Sequence, residues 1–297
     1  MKLNIRHSKF IANNFQAALI LSAFLVLAVG YSLATPPLEA GDESRRVLVG
    51  LLRDENPARR AFAAEVMGEI GGDEEAVYLE EALADEEVDV RARAADSLGR
   101  MRHRMARPAL LRALDDPAWQ VRAQAVKALG KIGEESDVTR IAEKLRDTQW
   151  WVRKNAAAAL REMGETGEVP LVEMLWDEDR FARETAAQAL EEGSIVERLV
   201  KDMREGEEDP ESGRIIRRLA EIGSVGTIVQ VLSDLPDMEV KGRLVELLGG
   251  VDNEELIKAL SRARKEIERS SRRSSGKPAG EGEEEVGSPE EEGRGLQ

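Results

Sequence analysis

Cysteine is absent from all 297 residues, histidine occurs twice, and aromatic side chains make up only 4% of the chain. Without cysteine there are no disulfides, thiolate metal sites or thiol nucleophiles. His7 and His103 are the whole imidazole supply, so a Ser–His–Asp arrangement would have to rest on His103, and no nucleophile elbow accompanies it. Carboxylates are plentiful but show no metal-ligand spacing. No run alternates apolar and polar residues with strand-rich composition between turns. An excess of positive charge is missing too. The 58 acidic and 43 basic residues leave a net charge of -15, which repels nucleic-acid phosphates. The expectation is a chain with no catalytic residues, no metal, no cofactor, no nucleic-acid partner and no small-molecule substrate.

What the chain does have is a repeat. Arg60, Arg91, Arg122, Arg153 and Arg183 stand 31, 31, 31 and 30 residues apart. Six residues before each is an acid: Asp54, Asp85, Asp116, Asp147 and Asp177. Three after each is Ala63, Ala94, Ala125, Ala156 or Ala186, and seven after is Met67, Leu98, Leu129, Leu160 or Leu190. Upstream, Leu79 and Leu83, or Leu110 and Leu114, are four residues apart, the spacing of one helical face. Val121, Ala125, Val126 and Leu129 form a second helical stripe behind the acid. The Gly71 and Gly133 that close these stripes suit a left-handed stop. Each unit therefore reads as helix–turn–helix, and self-similarity at this period means stacked units that cannot bury their apolar faces alone. Such an array is a scaffold before it is an enzyme.

The run from Asp116 to Gly130 resembles the short bacterial type of the HEAT-repeat superfamily, with its D-x-x-x-x-V-R-x-x-A-A-x-x-L-G signature. Asp147, Val152, Arg153, Ala156, Ala157 and Leu160 match it in the next unit. The resemblance covers roughly residues 44–252 and implies an all-α, right-handed α-solenoid of about seven helix–turn–helix repeats. It also brings in two activities. HEAT-like hydroxylases need paired His-Glu dipeptides, which are absent, and bilin lyases handle a prosthetic group, for which no residue here speaks. Ser212 and Lys241 fall in the arginine column of two worn repeats. A closing helix is expected after a cap at Asn253, with Leu256, Ile257, Leu260 and Ile267 buried.

Residues 15–34 carry no charge for twenty residues, which at about 1.5 Å per residue matches a bilayer core of about 30 Å. Lys2, Arg6 and Lys9 precede the run; Glu39, Asp42 and Glu43 follow it. The expectation is a basic cytoplasmic leader over 1–14, a transmembrane anchor or uncleaved signal over 15–34 and a linker over 35–43. The solenoid over 44–270 then lies on the outer side of a cytoplasmic membrane. Cleavage near Ala34, giving a secreted or periplasmic chain, is the alternative. From 271 to 297, Gly, Ser, Pro and Glu dominate, a composition expected to stay disordered.

The Asp–Arg columns are expected to form a structural ladder of charge-assisted hydrogen bonds. Trp119, Trp150, Trp151, Trp176 and Phe181 fall within three consecutive units, mostly on turns along one edge, and are the candidates for binding a protein partner. Arg100, Arg102, His103, Arg104, Arg107 and Arg112 form a basic cluster. The function expected is a non-enzymatic scaffold or adaptor for a protein partner; a lyase-like subunit and a passive spacer are the alternatives.

Overall fold

The computed structural model describes residues 40–205 and 210–274. Among them every regular element is helical, with fifteen α-helices and no strand. The expected transmembrane helix and the single-pass membrane location built on it are contradicted: among the described residues no helix is long and apolar enough to cross a membrane. The apolar run 15–34 lies outside the described residues, as do the leader, the start of the linker and residues 275–297 of the acidic tail.

The chain divides into two compact units at Ala63. In the first, helix α1 (Ala40–Leu52) is followed by the opening turns of α2 (Pro57–Ile70). Asn56 starts α2 by accepting the Ala58 amide at 2.9 Å, and Pro57 takes the first helical position, where its missing N–H costs nothing.

The second unit continues from α2 through α3 (Asp73–Ala82), α4 (Val88–Met101), α5 (Arg107–Ala113), α6 (Trp119–Ile132), α7 (Val138–Ala142), α8 (Trp150–Glu162), α9 (Glu165–Met174) and α10 (Arg180–Glu192). Then follow α11 (Ile195–Glu205), α12 (Pro210–Ile222), α13 (Gly226–Asp234), α14 (Met238–Leu247) and α15 (Glu254–Ser274). Three short 3-10 segments, Arg104–Ala106, Glu135–Asp137 and Glu143–Arg146, fill out the first helices of the third and fourth repeats.

The repeating columns supply the core. Leu79, Leu110, Ile141 and Leu171 on the first helices are buried, and so are Leu98, Leu129, Leu160 and Leu190 on the second. Each such side chain contributes about 1.5–3 kcal/mol by leaving water. The alanine column is fully buried as well. Small residues let the second helices approach closely: a Cβ on Gly99 would lie 2.6 Å from the Ala128 Cβ, and one on Gly130 would lie 2.7 Å from the Ala159 Cβ.

The glycines that close the second helices differ. Gly71 has φ 73°, the left-handed value. Gly133 has φ -64° and extended backbone; glycine is needed there because a Cβ would collide with the Leu129 carbonyl oxygen. At the far end Asn253 accepts the amides of Glu255 and Leu256 at 3.1 Å and starts α15. The buried stripe of α15 is Leu256, Ala259, Leu260 and Ala263. Ile257 is 47% exposed, because one residue past Leu256 turns it about 100° off that stripe.

Gly99→Ala should lower stability by about 1–2 kcal/mol, since overpacking against a neighbouring backbone outweighs the gain in helix propensity. Gly50→Ala, with open space around the added Cβ, should raise it by about 0.5–1 kcal/mol. Chemical-unfolding midpoints of the two variants check the pair; shifts of the same sign would contradict it.

Candidate functional site

The turn between the two helices of each repeat is built by its Asp and its Arg. The Asp Oδ1 accepts the amide two residues on, from Asn56, Glu87, Ala118, Gln149 and Asp179, at 2.8–2.9 Å. The Arg Nη1 then donates to the carbonyl oxygen of that same Asp, at 2.9, 2.7, 2.8, 2.8 and 2.6 Å along the series. A weaker bond goes to the next carbonyl in every turn, such as Thr148 O for Arg153 at 3.3 Å. One cation thus satisfies carbonyls at the end of the first helix that have no intrahelical partner.

The other edge of the guanidinium reaches the following repeat. Arg91 Nε and Nη2 donate to Asp116 Oδ2 and Oδ1 at 2.7 and 3.0 Å. Arg122 makes the same fork to Asp147 at 2.7 and 2.9 Å. Both pairs are at most 15% exposed. The hydrogen bonds they donate to Asp116 and Asp147 hold Arg91 and Arg122 above the ordinary guanidinium range, against the opposing effect of burial. Burial pushes the Asp147 carboxyl up, but the bonds from Arg122 and from the Gln149 amide outweigh it, so its pKa is lowered. Much further along, Lys241 of α14, 2% exposed, donates to Glu266 of α15 at 2.8 Å, again 25 residues on.

The series changes at Arg153. Its Nη1 bonds to Asp147 and Thr148 are in place, but Asp177 is engaged by Arg146, whose Nε donates to Asp177 Oδ2 at 2.9 Å. That bond comes first among the causes that lower the Asp177 pKa. Arg153 is 8% exposed, and its Nε is buried without a hydrogen-bond partner. Its guanidinium lies over the Phe181 ring instead, 5.3 Å from the centroid.

Around Arg153 the turn edge is aromatic. Trp150 and Trp151 open α8 and meet edge to face at 4.6 Å between centroids. Lys154 Nζ sits 5.0 Å from the Trp150 ring and 5.9 Å from that of Trp151. Trp150, Trp151 and Phe181 are 47%, 53% and 60% exposed. Phe181 is presented by Asp179, which caps α10 by accepting the Phe181 and Ala182 amides. Trp176 belongs to a different contact: it is 44% exposed with Arg214 of α12 5.7 Å from its ring. Trp119 opens α6 in an intermediate environment.

The sequence reading missed Arg146 and Lys154. A signal for Arg146 existed: seven residues before the arginine column stand Arg53, Ala84, Asp115, Arg146 and Trp176, and only Arg53 and Arg146 are basic. The basic cluster is partly consumed by neighbours. Arg107 Nε and Nη2 hold buried Asp137 at 2.6 Å each, Arg100 engages Glu69 and Asp96, and His103 Nε2 lies 3.3 Å from Asp73. Among the described residues no group of His, Asp and Glu could hold a metal ion.

Arg122→Ala should cost about 2 kcal/mol at neutral pH by removing charge-assisted bonds from a mostly buried carboxylate. Because the folded Asp147 pKa is lowered, the stability it adds is present above its unfolded value of about 3.9. That contribution is lost as pH falls through the folded value. The gap between wild type and Arg122→Ala should therefore shrink below about pH 4; unfolding midpoints from pH 7 to 3 measure it, and a constant gap would contradict the rung.

Comparison with known proteins gives a match over part of the chain. The model for HEAT repeats matches residues 78–143, and no curated protein matches the chain. A chain from the complex of CpcE and CpcF of phycocyanin lyase from Nostoc sp. PCC7120 is similar at 18% identity and TM-score 0.43, covering 80% of this chain and 98% of that one. Human deoxyhypusine hydroxylase is similar at 20% identity and TM-score 0.37, over 79% of this chain and 97% of its own. A designed armadillo repeat protein is similar at 19% identity and TM-score 0.36, over 69% and 98%. The repeats of this chain are HEAT-like, and residues 78–143 match the HEAT repeat itself.

Proposed function

We propose that this HEAT-like repeat protein is a non-enzymatic scaffold that binds a protein partner through the turn edge of its fourth and fifth repeats. The observation that carries the reading is the group of half-exposed rings of Trp150, Trp151 and Phe181 on turns whose backbone is fixed by Asp147, Arg153, Asp177 and Arg183. Large aromatic side chains held rigid at a surface lose little freedom on binding and are common energetic anchors. Stacked repeats leave such an edge long and open, which suits another protein better than a small molecule. Trp119 on the third repeat and Trp176, just before the turn of the fifth, extend the same reading.

Trp150→Ala/Trp151→Ala should weaken partner binding by roughly thirtyfold or more, as a hot-spot loss of at least about 2 kcal/mol from the pair implies. The unfolding midpoint should change little, because both rings are half exposed. Crosslinking and mass spectrometry on the full chain in its native host would identify the partner, and binding to both forms would then be titrated. A partner bound equally by both forms would remove the interface from this edge.

A further inference from the structure

The partner chemistry is legible in Arg153, a buried guanidinium that the ladder leaves open. An arginine in this column has two jobs: Nη1 ties its own turn, while Nε and Nη2 fork onto a carboxylate of the next turn. Arg91 and Arg122 do both. Arg153 does the first and not the second: among the described residues no carboxylate forms an ion pair with it, and its Nε is shielded from water with no acceptor. A cation 92% removed from solvent without a counter-charge is a costly arrangement. The cause is a competition. Arg146 holds Asp177, and Arg146 is 55% exposed, so the acid has been drawn outward from the buried arginine to a surface one. Phe181 occupies the face of the Arg153 guanidinium, whereas a carboxylate takes its edge. The ring is itself 60% exposed and sits on the first turn of a helix, so it can turn aside as a ligand enters.

Building on the docking edge proposed above, we propose that Arg153 is the anion seat of that edge. It binds a carboxylate from an acidic segment of the partner protein, with Trp150, Trp151 and Phe181 taking the apolar side chain next to it. The incoming carboxylate makes the Nε and Nη2 fork that Asp116 and Asp147 make in the two preceding rungs. Lys154, poised over both tryptophan rings, adds a second positive charge to the same edge. The occupant is therefore an acidic peptide with an adjacent apolar or aromatic residue.

The full 15N-labelled chain can be titrated with phenylacetate, which carries one carboxylate and one ring, against sodium chloride and 2-phenylethylammonium at equal ionic strength. The Nε–H resonance of Arg153, assigned by its absence in Arg153→Lys, should move saturably with phenylacetate and not with either control. Arg146→Ala should weaken that binding at least tenfold, because Asp177 is freed to fill the Arg153 fork. Arg180→Ala removes one positive charge from the same edge, at a residue 76% exposed and paired to Glu184; it should leave binding unchanged. A motionless Arg153 resonance, or equal losses in Arg146→Ala and Arg180→Ala, would overturn the anion seat. That failure leaves the docking edge standing if Trp150→Ala/Trp151→Ala still loses the captured protein; loss of neither partner nor phenylacetate in the tryptophan variant would sink the edge itself.

Discussion

A guanidinium can hydrogen-bond along more than one edge at once, and the repeats are organised around that property. In each turn Nη1 goes to two carbonyls of the same repeat, leaving Nε and Nη2 to face the next. The acid is used as fully: Asp147 accepts its own Gln149 amide on Oδ1, the Arg122 fork on both oxygens, and Arg153 on its backbone carbonyl. Lysine could not replace arginine here without losing one of the two directions, because its single nitrogen is a point charge on a flexible stem. Asparagine could not replace the acid without losing the charge that holds the fork. The Asp–Arg columns therefore fix the turn and the register between neighbours together, while the leucine and alanine columns are buried in the core.

Burial of these pairs specifies geometry more than it adds stability, since desolvation offsets much of the Coulomb attraction. That explains how the array tolerates change. Ser212 replaces the arginine in one repeat and is itself buried. Lys241 replaces it in another and spends its one nitrogen on the inter-repeat direction, reaching Glu266. In the basic segment of the third repeat, Arg107 and Asp137 make a further bidentate link 30 residues apart. Stability in such arrays is a sum of repeat and neighbour terms, so a weak rung is felt locally.

The helices, their buried columns and the cap at Asn253 were legible because each follows from one position and its period. Leu79, Ala94 and Leu98 are buried as their spacing requires. Less legible were features that depend on two columns at once. Gly133 looks like Gly71 in sequence, but what requires glycine there is the approach of the Leu129 carbonyl, not a left-handed backbone. Ile257 is apolar and sits one step off a stripe whose other members include two alanines, Ala259 and Ala263, that hydropathy alone ranks below it. For the aromatic edge, the sequence placed Trp150, Trp151 and Phe181 on turns, but it did not show that Arg146 competes with Arg153 for Asp177. A column read on its own cannot reveal a competition between columns. The apolar run at 15–34 is a further case: its length spoke for a membrane span, and no described helix carries that reading.

The departure from the ladder and the exposed rings fall in the same place, and physics gives a reason for the coincidence. Where every rung is closed, the turn edge presents satisfied backbone and paired charges, with little left for a partner to gain. At Arg153 the backbone half of the clamp is kept and only the outward half is released. The guanidinium is thus held in position before any ligand arrives, so binding there need not immobilise a long flexible side chain. Trp150 and Trp151, packed against each other and under Lys154, are restrained in the same way. A local breach of an otherwise consistent pattern is where function is expected to sit. Here the breach costs one rung of the ladder while the turn that displays it stays intact.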